Sequence, residues 1–195
     1  MTYKGDYKNI MKNILAAFIF LILSVSTAFA QVEKQAEKQA EKQREMIEGQ
    51  RVEMNKLDQW SGQWKGSGWI QQGAKRETFS GTETVQRKID GLALLVEGKF
   101  SNAEGKVIHE TLAVLTYNLK TKIYDFDTFL ANGAKGKHDL KATKDGWQWG
   151  LQYPGVMMRY DIKLTGSVWL ETGEISFDEG KTWMKFFEMK LDRMK

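Results

Sequence analysis

From residue 57 onward the sequence predicts an all-β fold, an antiparallel up-and-down barrel of about ten strands. Three observations point there. Short strand-like runs recur along the chain, each closed by a turn pair such as Asp90-Gly91, Asn132-Gly133, Asp145-Gly146, Pro154-Gly155 or Thr165-Gly166. No link between the runs has the length of a crossover between parallel strands. The chain holds 18 glycines and 1 proline, a balance suited to a continuous meander with glycine turns.

The chain reads in three parts. Residues 1–30 are expected to be a signal peptide. Lys8 and Lys12 precede an apolar run over residues 14–25, and Ala28-Phe29-Ala30 gives a small-x-small cleavage site before Gln31. Met11 offers an alternative start. The competing reading is an uncleaved anchor, but the run is shorter than the ~20 apolar residues a membrane span needs. With no cysteine there is neither a lipid-attachment thiol nor a disulfide. An exported protein, periplasmic or extracellular, is the expectation, with membrane contact only through the leader.

Residues 31–56 are expected to form a charged helical tether. Glu33-Lys-Gln-Ala, Glu37-Lys-Gln-Ala and Glu41-Lys-Gln-Arg repeat every four residues and contain only good helix formers. Attractive i,i+3 pairs there are offset by like charges at i,i+4. Ala36 and Ala40 are too small an apolar stripe to drive a coiled coil. Gly49 is expected to interrupt this helix. Met46, Ile47, Val52, Met54 and Leu57 then supply the apolar contacts by which its end can fold onto the domain.

The strands are expected at residues 62–70, 76–88, 92–101, 107–117, 123–129, 135–143, 147–152, 156–164, 168–177 and 182–193. On the second, Phe79, Glu83 and Val85 share one face and Thr78, Thr82 and Thr84 the other. Trp147 and Trp149 share a face, as do Trp169 and Glu171. On the last strand Trp183, Phe187, Met189, Leu191 and Arg193 share one parity. Glycines inside strands, including Gly66, Gly68 and Gly98, suit the bends that closing a barrel requires.

Charge and motifs exclude several functions. The first thirty residues, with three lysines and one aspartate, carry half of the net +4, so the domain has no basic footprint for nucleic acid. No His or Cys spacing marks a metal site. No nucleophile elbow or phosphate loop is present. His109 and Glu110 alternate on a strand and point to opposite faces, so they form no local acid–base pair. Asp125 and Asp127 share a face and read as a solvated one. No catalytic set is identified.

Trp60-x-Gly62-x-Trp64-x-Gly66-x-Gly68 resembles the first strand of the calycin superfamily, which includes lipocalins, fatty-acid-binding proteins and nitrobindin-like barrels. The stretches Asp90-Gly91-Leu-Ala-Leu-Leu-Val-Glu-Gly98, His109-Glu-Thr-Leu-Ala-Val-Leu-Thr-Tyr117, Arg159-Tyr160 and Asp178-Glu-Gly-Lys-Thr-Trp183 are similar to an uncharacterised bacterial family with a calycin-like domain. The resemblance covers residues 57–195 and implies the fold. It also implies a structural pair, Trp64 beneath Arg193, closing the barrel base.

Three functional readings follow. One is a barrel that binds a small hydrophobic or amphipathic molecule, with Trp64, Phe126, Trp149 and Phe187 lining it and His109 and Arg159 holding a polar or anionic head group. Another is haem binding, implied by the nitrobindin-like resemblance, with His109 or His138 as axial ligand; the late-strand histidine of that pattern is missing. The last is a structural envelope protein whose barrel is filled. No cofactor or metal is expected under the first reading or the last.

Overall fold

The computed structural model describes residues 6–195, with side chains described from residue 31 onward. The expected cleavage site at Ala30 and Gln31 thus straddles that limit, and the leader side chains lie outside it. Two compact units divide the chain, Met1–Met46 and Ile47–Lys195. The first is helical from Asp6 on, as part of α1 (Asp6–Asn55). Among the described residues no helix is long and apolar enough to cross a membrane.

The second unit holds the end of α1, a 3-10 turn (Asp58–Trp60) and ten antiparallel strands. These are β1 (Gly62–Gln72), β2 (Lys75–Lys88), β3 (Ala93–Ser101), β4 (Val107–Asn118), β5 (Ile123–Leu130), β6 (Lys135–Ala142), β7 (Trp147–Tyr153), β8 (Val156–Thr165), β9 (Val168–Ser176) and β10 (Met184–Arg193). Each strand pairs with its sequence neighbours, and β1 pairs with β10, so the sheet closes on itself as a barrel. All ten expected strands are present, with ends shifted by at most two residues.

Closure rests on one register. Trp64 lies opposite Arg193 and Ile70 opposite Phe187 along the β1–β10 seam. The Arg193 guanidinium stacks on the Trp64 ring, Cζ 4.1 Å from the ring centroid. It also donates to the carbonyls of Ser61 and Gln59, so the last strand grips the turn that precedes the first. Gly62 makes this approach possible: its φ is 134°, and a Cβ there would stand 2.6 Å from Arg193 Nη1.

One end of the barrel is plugged. Met54 and Leu57 are fully buried, and Trp60 nearly so, against Trp64, Trp147, Trp169 and Tyr124. Trp60 meets Trp169 and Trp147 edge to face at 4.9 and 6.1 Å, and the Trp64 indole donates to the Trp60 carbonyl at 2.8 Å. Such pairs add to the area they bury. Polar contacts fix the angle of entry. Gln50 Nε2 donates to the Tyr117 carbonyl at 2.9 Å, and the Tyr124 hydroxyl donates to the Glu53 carbonyl at 3.0 Å, beside the bond that carbonyl accepts from the Lys56 N–H. Burial, with the nearby Glu53, holds that phenol well above its usual pKa.

Gly49 does not interrupt α1, which runs on to Asn55. A single mid-helix glycine costs about 1 kcal/mol, and the docked residues just beyond it outweigh that. A β-bulge between Lys185 and Phe187 corrects a second expectation. It takes Trp183 out of the inward parity of Phe187, Met189 and Leu191; Trp183 lies before the strand, its indole donating to the Gly180 carbonyl at 3.0 Å.

Truncating the plug tests this arrangement. Leu57→Ala is expected to lose about 2–5 kcal/mol in urea unfolding followed by near-ultraviolet circular dichroism, and Val52→Ala, at an exposed position, less than about 0.5 kcal/mol. Arg193→Ala should cost about 1–2 kcal/mol beyond its lost packing; a neutral result would place barrel closure elsewhere.

Candidate functional site

The plug assigns the two ends. The β2–β3, β4–β5, β6–β7 and β8–β9 links lie at the closed end with the 3-10 turn, and the other five hairpin links rim the open mouth. Cross-strand partners share a face, so the register also gives what points inward.

Between plug and mouth runs an aromatic belt. Phe100 meets Phe79 edge to face at 5.5 Å, and Phe79 stacks on Phe187 at 5.8 Å. Phe187 meets Tyr160 at 5.7 Å, Tyr160 lies flat on Trp149 at 4.3 Å, and Trp149 meets Phe126 and His138 at 5.2 Å each. Phe79 and Phe100 are buried, while Phe126, His138, Trp149, Tyr160 and Phe187 are partly open to solvent. The belt is therefore reached from the mouth.

Two carboxyls lie inside the same ring of strands. Glu83 is the inward partner of Trp64 and of Gly98. Gly98 creates the room for it, since a Cβ there would come within 2.7 Å of Glu83 Oε1. Glu171 is the next inward residue of β9 after Trp169 and accepts a hydrogen bond from Trp149 Nε1 at 3.1 Å. The Trp169 indole faces the same carboxyl without completing a hydrogen bond. Both glutamates are 8% exposed, and Glu83 Oε2 has no hydrogen-bond partner. Burial, and then the Glu171 charge, push the Glu83 carboxyl up to about 8. Burial pushes Glu171 up to about 7 against the Trp149 hydrogen bond, which lowers it. Burial also raises the Tyr160 phenol, followed by the charge of Glu171.

The residues anticipated as ligand contacts separate into three groups. Phe126, Trp149 and Phe187 meet in the belt. His109 points inward at the rim beside Phe100, ring centroids 6.2 Å apart, and keeps an exposed edge; partial desolvation of the imidazole lowers its pKa. Trp64 is fully buried in the plugged end and lines no open space. Arg159 is a correction. It pairs across the strands with Gly150 and Glu174, on the outer face. There it forms a salt bridge to Glu174 at 2.6 Å and stacks on Trp183 at 4.1 Å. The inward neighbour is Tyr160, so the polar head group assigned to Arg159 has no cation waiting for it.

Glu83 and Glu171 were missed as site residues, although each had a visible signal. Each shares strand parity with large apolar side chains, Phe79 and Val85 for Glu83 and Trp169 for Glu171. A carboxylate on such a face either turns the face outward or is buried, and the closed register decides for burial.

The donor set does not fit the late-strand haem ligation that the nitrobindin-like resemblance implies. β10 carries no histidine, and its inward side chains include Phe187, Met189, Leu191 and Arg193. The histidines sit instead on β4 and β6, and His138 Nε2 lies 3.1 Å from Thr128 Oγ1. Burial lowers the His138 pKa, against Asp127, a Gly150 backbone hydrogen bond and Asp139, which raise it. Among the described residues no group of three or more His, Cys, Asp or Glu is placed to hold a metal ion.

No family model matches the chain, and no curated protein sequence matches it. Solved structures do. Rv2717c from M. tuberculosis is similar over 73% of this chain and 97% of its own, with 12% identity and a TM-score of 0.55. The S-type phycobiliprotein lyase CPES from Guillardia theta is similar over 75% of this chain and 97% of its own, with 12% identity and a TM-score of 0.53. At that identity the similarity establishes the fold.

The buried carboxyls give stability a pH dependence of definite sign. Below about pH 4.5 both are protonated in the folded and unfolded chain alike. As pH rises toward 8 the unfolded chain ionises first, so their contribution falls across that window and levels off above it. Glu83→Gln should therefore be more stable than the parent at pH 8, by on the order of 3 kcal/mol, and close to it at pH 4. Urea midpoints at the two pH values measure the difference, and equal offsets at both would contradict the burial of Glu83.

Proposed function

We propose that the chain is an exported barrel that binds a small apolar or amphipathic molecule through its open mouth. The carrying observation is the belt of Phe126, Trp149, Tyr160 and Phe187, inward-facing yet partly open to solvent. Aromatic walls with a few convergent polar groups are the usual make-up of a small-molecule site. The plug strengthens the reading, because it leaves one route of entry. The similarity to Rv2717c and to a phycobiliprotein lyase supports the barrel alone, so the ligand reading rests on these residues. Export rests on Lys8, Lys12, the apolar run and the Ala28-Phe29-Ala30 site.

N-phenyl-1-naphthylamine, a neutral apolar probe that fluoresces in dry surroundings, tests the belt. It should bind the protein, and Trp149→Ala or Phe187→Ala should weaken binding about tenfold or more, a loss of about 1.4 kcal/mol. Trp69→Ala, which removes an outward ring beneath Arg76, should leave it unchanged. No binding to the parent protein, together with no small molecule retained in native mass spectrometry of protein taken from its own cells, would favour a filled structural barrel.

A further inference from the structure

The interior acid pair has no counter-charge. Within the inward register of the described residues, the lysines and arginines are Lys75, Arg87 and Arg193, and the imidazoles are His109 at the rim beside Phe100 and His138, turned to Thr128. Lys75 stands at the mouth and bonds Glu77 at 2.9 Å. Arg87 is held at the closed end by Asp58, Asn55 and the Gly91 carbonyl. Arg193 is occupied by Trp64 and the carbonyls of the 3-10 turn. None reaches Glu83 or Glu171. One indole bonds Glu171, and Glu83 Oε2 is buried with an acceptor site unused. A buried polar group without a partner is costly, and an uncompensated carboxyl more so. Gly98, lacking a side chain, leaves the room that the Glu83 carboxyl itself occupies. The belt above presents the faces and edges of Trp149, Tyr160 and Phe187, surroundings in which a cation is stabilised as well.

We propose that Glu83 and Glu171 are the polar seat of the barrel and that its ligand is a hydrophobic amine, its protonated nitrogen on the two carboxyls and its apolar body in the aromatic belt. This rests on the binding-barrel reading and narrows it: the head group is cationic, opposite in sign to the one that an inward Arg159 would have held. An ammonium supplies the donors that Glu83 and Glu171 lack and holds both in the ionised form.

A matched set of three naphthalene probes separates the possibilities by isothermal titration calorimetry: 1-naphthylmethylamine, 1-naphthalenemethanol and 1-naphthaleneacetate. The amine should bind at least about tenfold tighter than the alcohol, and the acid weakest. The double variant Glu83→Gln/Glu171→Gln should lose the preference for the amine and keep the affinity for the alcohol. A second readout needs no variant. At pH 6, where carboxyls raised to about 7 and about 8 are mostly protonated, amine binding should release about two protons to the buffer. That release is seen by repeating the titration in buffers of different ionisation heat, and the alcohol should release none. Equal binding of all three probes, or amine binding without proton release, overturns the amine assignment and leaves the binding barrel standing. Failure of all three to bind overturns both.

Discussion

Everything in the domain depends on the β1–β10 seam. A meander of ten strands is an open sheet until its first and last members meet, and open edges attract other chains. Here the meeting is enforced from the side as well as along the backbone ladder. Arg193 lies over Trp64 and reaches past it to the turn at Gln59 and Ser61. The same guanidinium thereby fixes the seam and the end of the plug. Gly62 is part of that device because a side chain there would occupy the guanidinium's place.

Once the seam and plug are set, the two halves of the interior differ in kind. The closed half is mostly apolar, built on Leu94, Leu115, Leu140 and Leu191 around the tryptophans. The other half mixes half-exposed rings with two carboxyls, Thr128 and two imidazoles. Burying Glu83 without a partner works against folding, so the stability of the domain has to come from the closed half. That division is common where function needs polar groups that packing would reject.

Much of the fold was legible because its signals are local. Turn pairs such as Asp90-Gly91 and Thr165-Gly166 end strands wherever they occur, and all ten strands followed from them. The Trp64–Arg193 pair came from resemblance at two chain ends, and the register places the two residues opposite each other. Facing was harder. Arg159 and Tyr160 are adjacent, and a single position of phase decides which one points inward. The bulge at Lys185 shifts that phase again, which is why Trp183 parts company with Phe187. For Glu83 and Glu171 the sequence showed a carboxylate among apolar neighbours. Only closure of the barrel shows that the two strands carrying them turn toward one interior. The continuity of α1 through Gly49 depended on Met54 and Leu57, whose docking site is assembled from distant strands.

The seven tryptophans are sorted by this architecture into three optical environments. Trp60, Trp64, Trp147 and Trp169 are locked together in the plug, at angles and distances where their transitions couple and give strong near-ultraviolet dichroism. Trp149 alone stands in the belt, hydrogen-bonded to Glu171. Trp69 and Trp183 lie outside beneath the guanidiniums of Arg76 and Arg159. The molecule thus carries separate built-in reporters for its seal, its interior and its outer wall, and an occupant arriving through the mouth would meet the belt reporter first and touch the coupled set only at its inner edge, where Trp169 faces Glu171 and Trp64 lies opposite Glu83.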